Sequence, residues 1–274
     1  MTSQQLPTTK YLARDEGKIG YDLQGTGPLV VLVPGMGELR FSYRLLAPTL
    51  AAAGFTVATA DLRGHGDSDT TFSSYGDVET AGDIVALIQE LGGPAVIVGN
   101  SMAGGAGVIA AADHPELVSG LVLLGAFVRN PQSSGFQLAL FRAMMAPLWI
   151  ARVWKMYMPT LYAGRKPADF QSYRDAVFAS LRRPAYAKAF SLTTRQTDHA
   201  PAEAKLSGVT APTLVIMGEL DPDFTNPVEE ARFTGEALKG EVVMVPETGH
   251  YPQSQQPEIT GSAILQFLQI NSAK

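Results

Sequence analysis

The chain contains no cysteine and only four histidines among its 274 residues. Without a thiol it can form no disulfide, offer no thiolate nucleophile and ligate no metal through sulfur, although that absence does not report the redox compartment. No H-E-x-x-H segment or clustered His and Asp spacing stands in for such a site, so neither a metal nor a cofactor is expected. Positive charge is also short. Against 26 Asp and Glu there are 21 Lys and Arg, a net charge of −5 that removes the electrostatic reason to expect nucleic acid or anionic lipid as a partner. Met1 to Lys10 hold no apolar stretch of the kind a secretory signal needs, and the expectation is a cytoplasmic protein.

An unbroken membrane-length run is missing too. The most apolar region, Phe136 to Met158, is interrupted by Arg142, Pro147, Arg152 and Lys155, whereas a transmembrane helix needs about 20 mostly uncharged residues. It reads as amphipathic helices that bury one face in the protein. Internal repeats and low-complexity tracts are absent as well, which excludes a solenoid.

What is present is an alternation. Short Val-, Ile- and Leu-rich runs at Leu29–Val33, Thr56–Ala60, Ala95–Val98, Val118–Leu124, Thr213–Met217 and Glu241–Val245 have the character of strands covered on both faces. Between them Ser42–Ala53, Val78–Leu91, Ala106–Ala112, Val228–Leu238 and Ile259–Leu268 carry apolar residues at helical spacing. The pattern is that of an α/β protein with a mostly parallel sheet flanked by helices. Tyr11 to Leu23 supplies a leading antiparallel hairpin turning at Asp15-Glu16-Gly17-Lys18. From Gly125 to about Gly208 no strand-like run occurs, and a gap that long is an inserted helical subdomain rather than a loop. The expected division is a core of residues 1–126 and 207–274 with a helical cap of residues 127–206.

The strand at Ala95–Val98 runs into Gly99-Asn100-Ser101-Met102-Ala103-Gly104-Gly105. A strand, a sharp turn with small residues on both sides of a serine, and a helix are the context of a nucleophile elbow. A serine hydroxyl attacks only if a base takes its proton. His65 lies in the glycine-rich turn Asp61-Leu62-Arg63-Gly64-His65-Gly66 and reads as structural, His114 precedes Pro115 at a helix end, and His199 sits in the insertion and is expected to be exposed. His250, in Gly249-His250-Tyr251-Pro252 after the last strand, is therefore the expected base. Asp221 in Gly218-Glu219-Leu220-Asp221-Pro222-Asp223 is the expected orienting acid, with Glu219 and Asp223 as rivals in the same loop. Backbone N–H groups of Met102 and of Met36, in Pro34-Gly35-Met36-Gly37, are expected to hold the oxyanion.

The order Ser101, Asp221, His250, the Asp61–Gly66 turn and the interrupting cap resemble the α/β-hydrolase family, in its serine hydrolase, esterase- and lipase-like branch, over nearly the whole chain. The resemblance implies an eight-stranded sheet, a triad on those residues and a helical cap that shapes the pocket. Two positions depart from the family pattern: Ala103 replaces the closing glycine of the elbow, and Pro34 stands where many relatives carry histidine. Serine at the elbow disfavours the aspartate-nucleophile branches. Gly99-Asn100-Ser101-Met102 is similar to the carbon–carbon bond hydrolases of ring-cleavage products, although Tyr251 replaces the tryptophan that follows their histidine.

The expected activity is hydrolysis of a small or medium apolar ester or lactone, with C–C hydrolysis or a slowly turning-over receptor as alternatives. Phe136, Leu138, Leu140, Met144, Met145, Trp149, Trp154, Met156 and Tyr157 crowd the cap, and Met144, Trp149, Trp154 and Tyr251 are the expected substrate contacts. A dinucleotide site at Gly35-Met36-Gly37, with Asp61 ending the next strand, is disfavoured because Arg40 occupies the third glycine position.

Overall fold

The computed structural model describes residues 8–131 and 135–271, with the side chains of 137 and 138 outside the description. The Leu138 side chain, named above, therefore falls outside it. The chain begins with the hairpin β1 (Lys10–Arg14) and β2 (Gly17–Gln24), then β3 (Leu29–Val33), α1 (Leu46–Ala52), β4 (Thr56–Ala60), α2 (Asp77–Glu90), β5 (Ala95–Asn100), α3 (Met102–Asp113) and β6 (Val118–Leu124). Four helices interrupt the alternation: α4 (Gly135–Met144), α5 (Ile150–Leu161), α6 (Phe170–Leu181) and α7 (Pro184–Gln196). After the short α8 (Ala200–Lys205) it resumes with β7 (Thr213–Gly218), α9 (Pro227–Leu238), β8 (Glu241–Val245), α10 (Pro252–Gln255) and α11 (Pro257–Asn271).

The eight strands form one sheet in the order β1-β2-β4-β3-β5-β6-β7-β8, antiparallel only where β2 meets β1 and β4. Every residue of β3 and β5 is buried, as strands covered on both faces require. Alternation divides the core. Val30 and Leu32 pack with Leu46, Leu50, Ile264 and Phe267 on one face, while Val31 and Ile97 pack with Ile84, Ile88 and Ile109 on the other. Each such fully buried side chain contributes about 1.5–3 kcal/mol.

Two helices differ from their sequence patterns. The expected Ser42–Ala53 segment splits into a 3-10 turn at Arg40–Tyr43 and α1. Helix α3 starts at Met102 rather than Ala106, because Gly104, Gly105 and Gly107 are there for close packing and not to break the helix. A Cβ on Gly104 would lie 2.3 Å from the Ala126 methyl, and one on Gly105 2.6 Å from the Phe127 carbonyl.

The insertion has its own apolar cluster. In α5, Ile150, Trp154, Met158 and Leu161 are buried along one stripe, while Met156 on the opposite face is 79% exposed. Phe170, Tyr173, Val177 and Phe190 join it, as does Tyr251 from the sheet edge. Helix α4 departs from the expectation that these helices bury their apolar faces. Phe136, Leu140 and Met144, spaced by one turn, are exposed, and among the helix's described side chains only Phe141 on the other side packs into the cluster. No helix among the described residues is long and apolar enough to cross a membrane.

Candidate active site

Ser101 stands between β5 and α3 with φ 56° and ψ −125°, a conformation that a non-glycine residue adopts only when its surroundings enforce it. The enforcement is steric. A Cβ on Gly99 would lie 2.3 Å from the Ala103 carbonyl oxygen, and one on Gly35 2.6 Å from the Ser101 Cβ. Small residues around the serine are thus a packing requirement, and Ala103, fully buried, satisfies it in place of glycine. The preceding residue, Asn100, donates through Nδ2 to the carbonyls of Leu124 (2.8 Å) and His250 (3.1 Å), which ties the serine turn to the histidine loop.

His250 and Asp221 leave the carboxyl ends of β8 and β7 and meet at 2.7 Å, Nδ1 to Oδ2, with both side chains buried. Gly125 at the end of β6 backs the pair: a Cβ there would lie 3.1 Å from Asp221 Oδ2. Asp223 lies on the other side of the ring, its Oδ2 3.6 Å from Nε2, and accepts a 2.8 Å hydrogen bond from the Tyr157 hydroxyl of α5. Glu219, the remaining rival, is exposed. Burial by itself would lower the His250 pKa, but the flanking carboxylates of Asp221 and Asp223 outweigh it and hold the ring up at about 9.

His65 is equally buried and has no carboxylate. The Gly37 N–H donates to its Nε2 at 3.0 Å, so Nδ1 carries the proton and donates to the Arg63 carbonyl at 2.8 Å. Burial pushes its pKa down to about 4, and it stays neutral. Its structural effect is to pin the Pro34–Gly37 loop, which Trp154 Nε1 also grips through the Gly37 carbonyl at 2.8 Å. Gly37 has φ +76°, and a Cβ there would strike Trp154 and Phe190. The Met36 and Met102 N–H groups on either side of Ser101 find no acceptor among the described residues. Directly behind this loop Glu38 is fully buried; burial raises its carboxyl to about 7, although the Tyr173 hydroxyl donates to it at 2.6 Å. Asp61 is engaged by the Arg40 guanidinium and backbone, which takes away the carboxylate that a dinucleotide site would need.

Ser101, His250, Met36, Trp154 and Tyr251 line one cavity of about 890 Å³. Its lining is apolar at Phe127, Phe141 and Leu161 and polar at Asn130, Thr194, Arg195, Thr197 and His199. A smaller cavity of about 420 Å³ on the other side of Arg40 holds charges already paired, Arg40 with Asp61 and Arg44 with Asp169. Met144 and Trp149, expected as substrate contacts, lie outside the cavity lining and are 43% and 44% exposed; the Trp149 indole donates to the Ala143 carbonyl. The turn between α4 and α5 carries them away from the sheet edge. His114 caps α3 as read. His199 is not exposed: it is 6% accessible, lies 2.6 Å from Asp77 and faces the cavity. Sequence reading took His199 for an exposed residue, carried Asp223 only as a rival to Asp221 and did not single out Asp77. Asp223 carried a local signal, its place beside Asp221, whereas nothing local joined His199 to Asp77.

A family model described as the alpha/beta hydrolase family matches residues 30–261. A 2-(acetamidomethylene)succinate hydrolase of Mesorhizobium japonicum is 31% identical over 267 residues, 93% of each chain. A probable esterase of Oryza sativa subsp. japonica is 28% identical over 264 residues, 90% of this chain and 93% of its own. Among solved structures, an esterase from Exiguobacterium antarcticum superposes with a TM-score of 0.81 at 21% identity, covering 96% of this chain and all of the other, a likeness of fold.

Proposed function

Since the chain belongs to the alpha/beta hydrolase family, we propose that it is a serine hydrolase that cleaves a carboxylic ester or lactone through an acyl-enzyme. Its substrate is small to medium in size, with an apolar part against Phe127, Phe141 and Leu161. The observation that carries this reading is the buried 2.7 Å His250–Asp221 pair opening onto the same cavity as a serine held at φ 56°.

In this scheme neutral His250 takes the Ser101 proton as Oγ attacks the carbonyl carbon. Asp221 accepts from Nδ1–H, fixes the tautomer and stabilises the imidazolium that forms. The tetrahedral oxyanion lies on the Met36 and Met102 N–H groups, of which the Met36 loop is braced by His65 and Trp154 through Gly37. Imidazolium returns its proton to the leaving oxygen, and water, deprotonated in turn by His250, releases the acyl group. Residues 127–206 act as the cap, with Trp154, Tyr157 and Leu161 of α5 reaching the cavity. The Mesorhizobium relative's name adds a succinate derivative to the substrates to be tried, and a ring-cleavage product tests C–C hydrolysis.

Steady-state hydrolysis of a p-nitrophenyl ester series, beside lactones and a fluorophosphonate probe, tests the reading. Ser101→Ala loses at least about 10³-fold in kcat and all probe labelling while keeping its fold. Turnover by that variant at the wild-type rate overturns the assignment. Labelling of the wild type without turnover of any ester points to a receptor instead.

A further inference from the structure

The acyl-transfer scheme leaves unused a second imidazole–carboxylate pair, whose histidine lines the same cavity. His199 Nδ1 lies 2.6 Å from Asp77 Oδ2, and both side chains are buried. Asp77 opens α2 and His199 precedes α8, so residues 122 apart in sequence are folded together to make the pair. Burial raises the Asp77 carboxyl and the His199 bond opposes that shift. The Phe127 ring stacks on His199 with centroids 5.3 Å apart and planes 12° apart, and the same ring lies 6.0 Å from His250. One aromatic side chain thus contacts both histidines.

With Nδ1 held by Asp77, Nε2 is the end of the ring left to a ligand, and it finds no partner among the described residues. Arg195 and Arg142 line the same cavity, and neither is within ion-pair distance of a carboxylate among the described residues. The cavity's own acids are already engaged. Asp198 accepts from Asn130 Nδ2 (2.6 Å) and the Ala200 N–H (3.0 Å), and Asp223 accepts from Tyr157 and faces His250. Among the described residues no acceptor reaches His199 Nε2, Arg195 or Arg142, and the ligand group that matches an imidazolium N–H and a guanidinium fork is a carboxylate.

We propose that His199, oriented by Asp77, forms with Arg195 and Arg142 a subsite for a carboxylate carried on the part of the substrate remote from the scissile bond. The proposal rests on the serine hydrolase reading of this cavity and adds a substrate class to it, half-esters or lactones of short dicarboxylic acids. In the complex Nε2 donates to the bound carboxylate and Nδ1 to Asp77, so the ring there is the imidazolium, set between two carboxylates. Phe127 packs against the methylene chain between the two ends.

The test compares mono-p-nitrophenyl adipate with p-nitrophenyl hexanoate, which has the same chain length and no terminal charge. Wild type prefers the adipate ester, and His199→Gln and Arg195→Ala each reduce the ratio of the two kcat/KM values about tenfold, mainly through KM. Arg195 is exposed, so its variant keeps the fold even if a change at His199 does not. Equal kcat/KM for the two esters, or a ratio that neither variant moves, overturns the subsite. Calorimetric binding of adipate to the intact protein separates this failure from failure of the hydrolase reading. Adipate binding that weakens in Arg195→Ala, with no ester turned over, sustains the subsite and overturns the hydrolase; turnover of both esters without preference does the reverse.

Discussion

The turn after β4 and the loop after β8 place a fully buried histidine at the same carboxyl edge of the sheet, and the two rings are opposite in chemistry. His65 is held between the Gly37 N–H and the Arg63 carbonyl, and burial brings it down to about 4. His250 is flanked by two carboxylates that hold it up at about 9. Burial is common to both, so the partners decide. A ring between backbone dipoles is a neutral brace that cannot afford a proton, because protonation would turn its acceptor for Gly37 into a donor. A ring between carboxylates is a group that can take a proton and keep it, as a general base must during serine attack.

Removing the charged partner breaks this contrast, with the largest expected effect. Asp221→Asn leaves the ring in place but takes away the acceptor that fixes its tautomer and stabilises imidazolium, and kcat for ester hydrolysis falls on the order of 10⁴-fold. A fall of less than tenfold would show that Asp223 or another group orients His250.

Glu38, behind the loop that His65 braces, extends the comparison to a carboxyl group. Its pKa is about 7 in the folded protein against an ordinary 4.5, so between these values the folded state holds a proton that the unfolded state has lost. The stability that this proton confers is present below pH 4.5 and declines as pH rises through 7, by up to about 3 kcal/mol. Denaturant unfolding at a series of pH values should show that slope, and Glu38→Gln should flatten it.

His65→Ala strips the acceptor from Gly37 N–H. It is expected to destabilise by about 1–3 kcal/mol and to lower kcat by about tenfold to a hundredfold through a loosened Met36 loop. Denaturation midpoints measured beside kcat separate the two effects, and an unchanged kcat would show that Trp154 holds the loop alone. The smallest effect is assigned to Asp223→Asn. Because only neutral His250 can accept the serine proton, kcat/KM rises with pH toward a limb near 9, and loss of the second carboxylate moves that limb down. The rate at neutral pH then rises severalfold. A pH profile that does not move would show that Asp221 sets the His250 charge unaided.

Much of the sheet was legible because its signals are local. Leu29–Val33, Thr56–Ala60, Val118–Leu124 and Glu241–Val245 coincide with strands, since runs of apolar β-formers between glycine, proline and polar turns need no distant information. The start of α3 was misread for a reason equally physical. Glycines at 104, 105 and 107 lower helix propensity, and only the approach of Ala126, Phe127 and Leu121 explains them. In the insertion the 3.6-residue period located helices without saying which faces meet the sheet. Trp154 turns inward to Gly37 while Trp149 and Met144, on neighbouring stretches, turn outward. His199 was misplaced because its partner lies 122 residues away and an aspartate at the start of a helix is, in sequence, ordinary terminus chemistry.

By itself the sequence determined the alternation that builds a parallel sheet, the small residues that let a serine turn sharply after β5, and the order in which Ser101, Asp221 and His250 arrive at the ends of strands. These follow from the periodicity and steric size of near neighbours. Only the tertiary structure decided which imidazole meets a carboxylate and which meets a backbone dipole, and that His199 and Arg195 line the cavity. Those pairings depend on how the insertion and α2 pack against the sheet edge. Packing between segments a hundred residues apart is set by the whole core rather than by any local pattern.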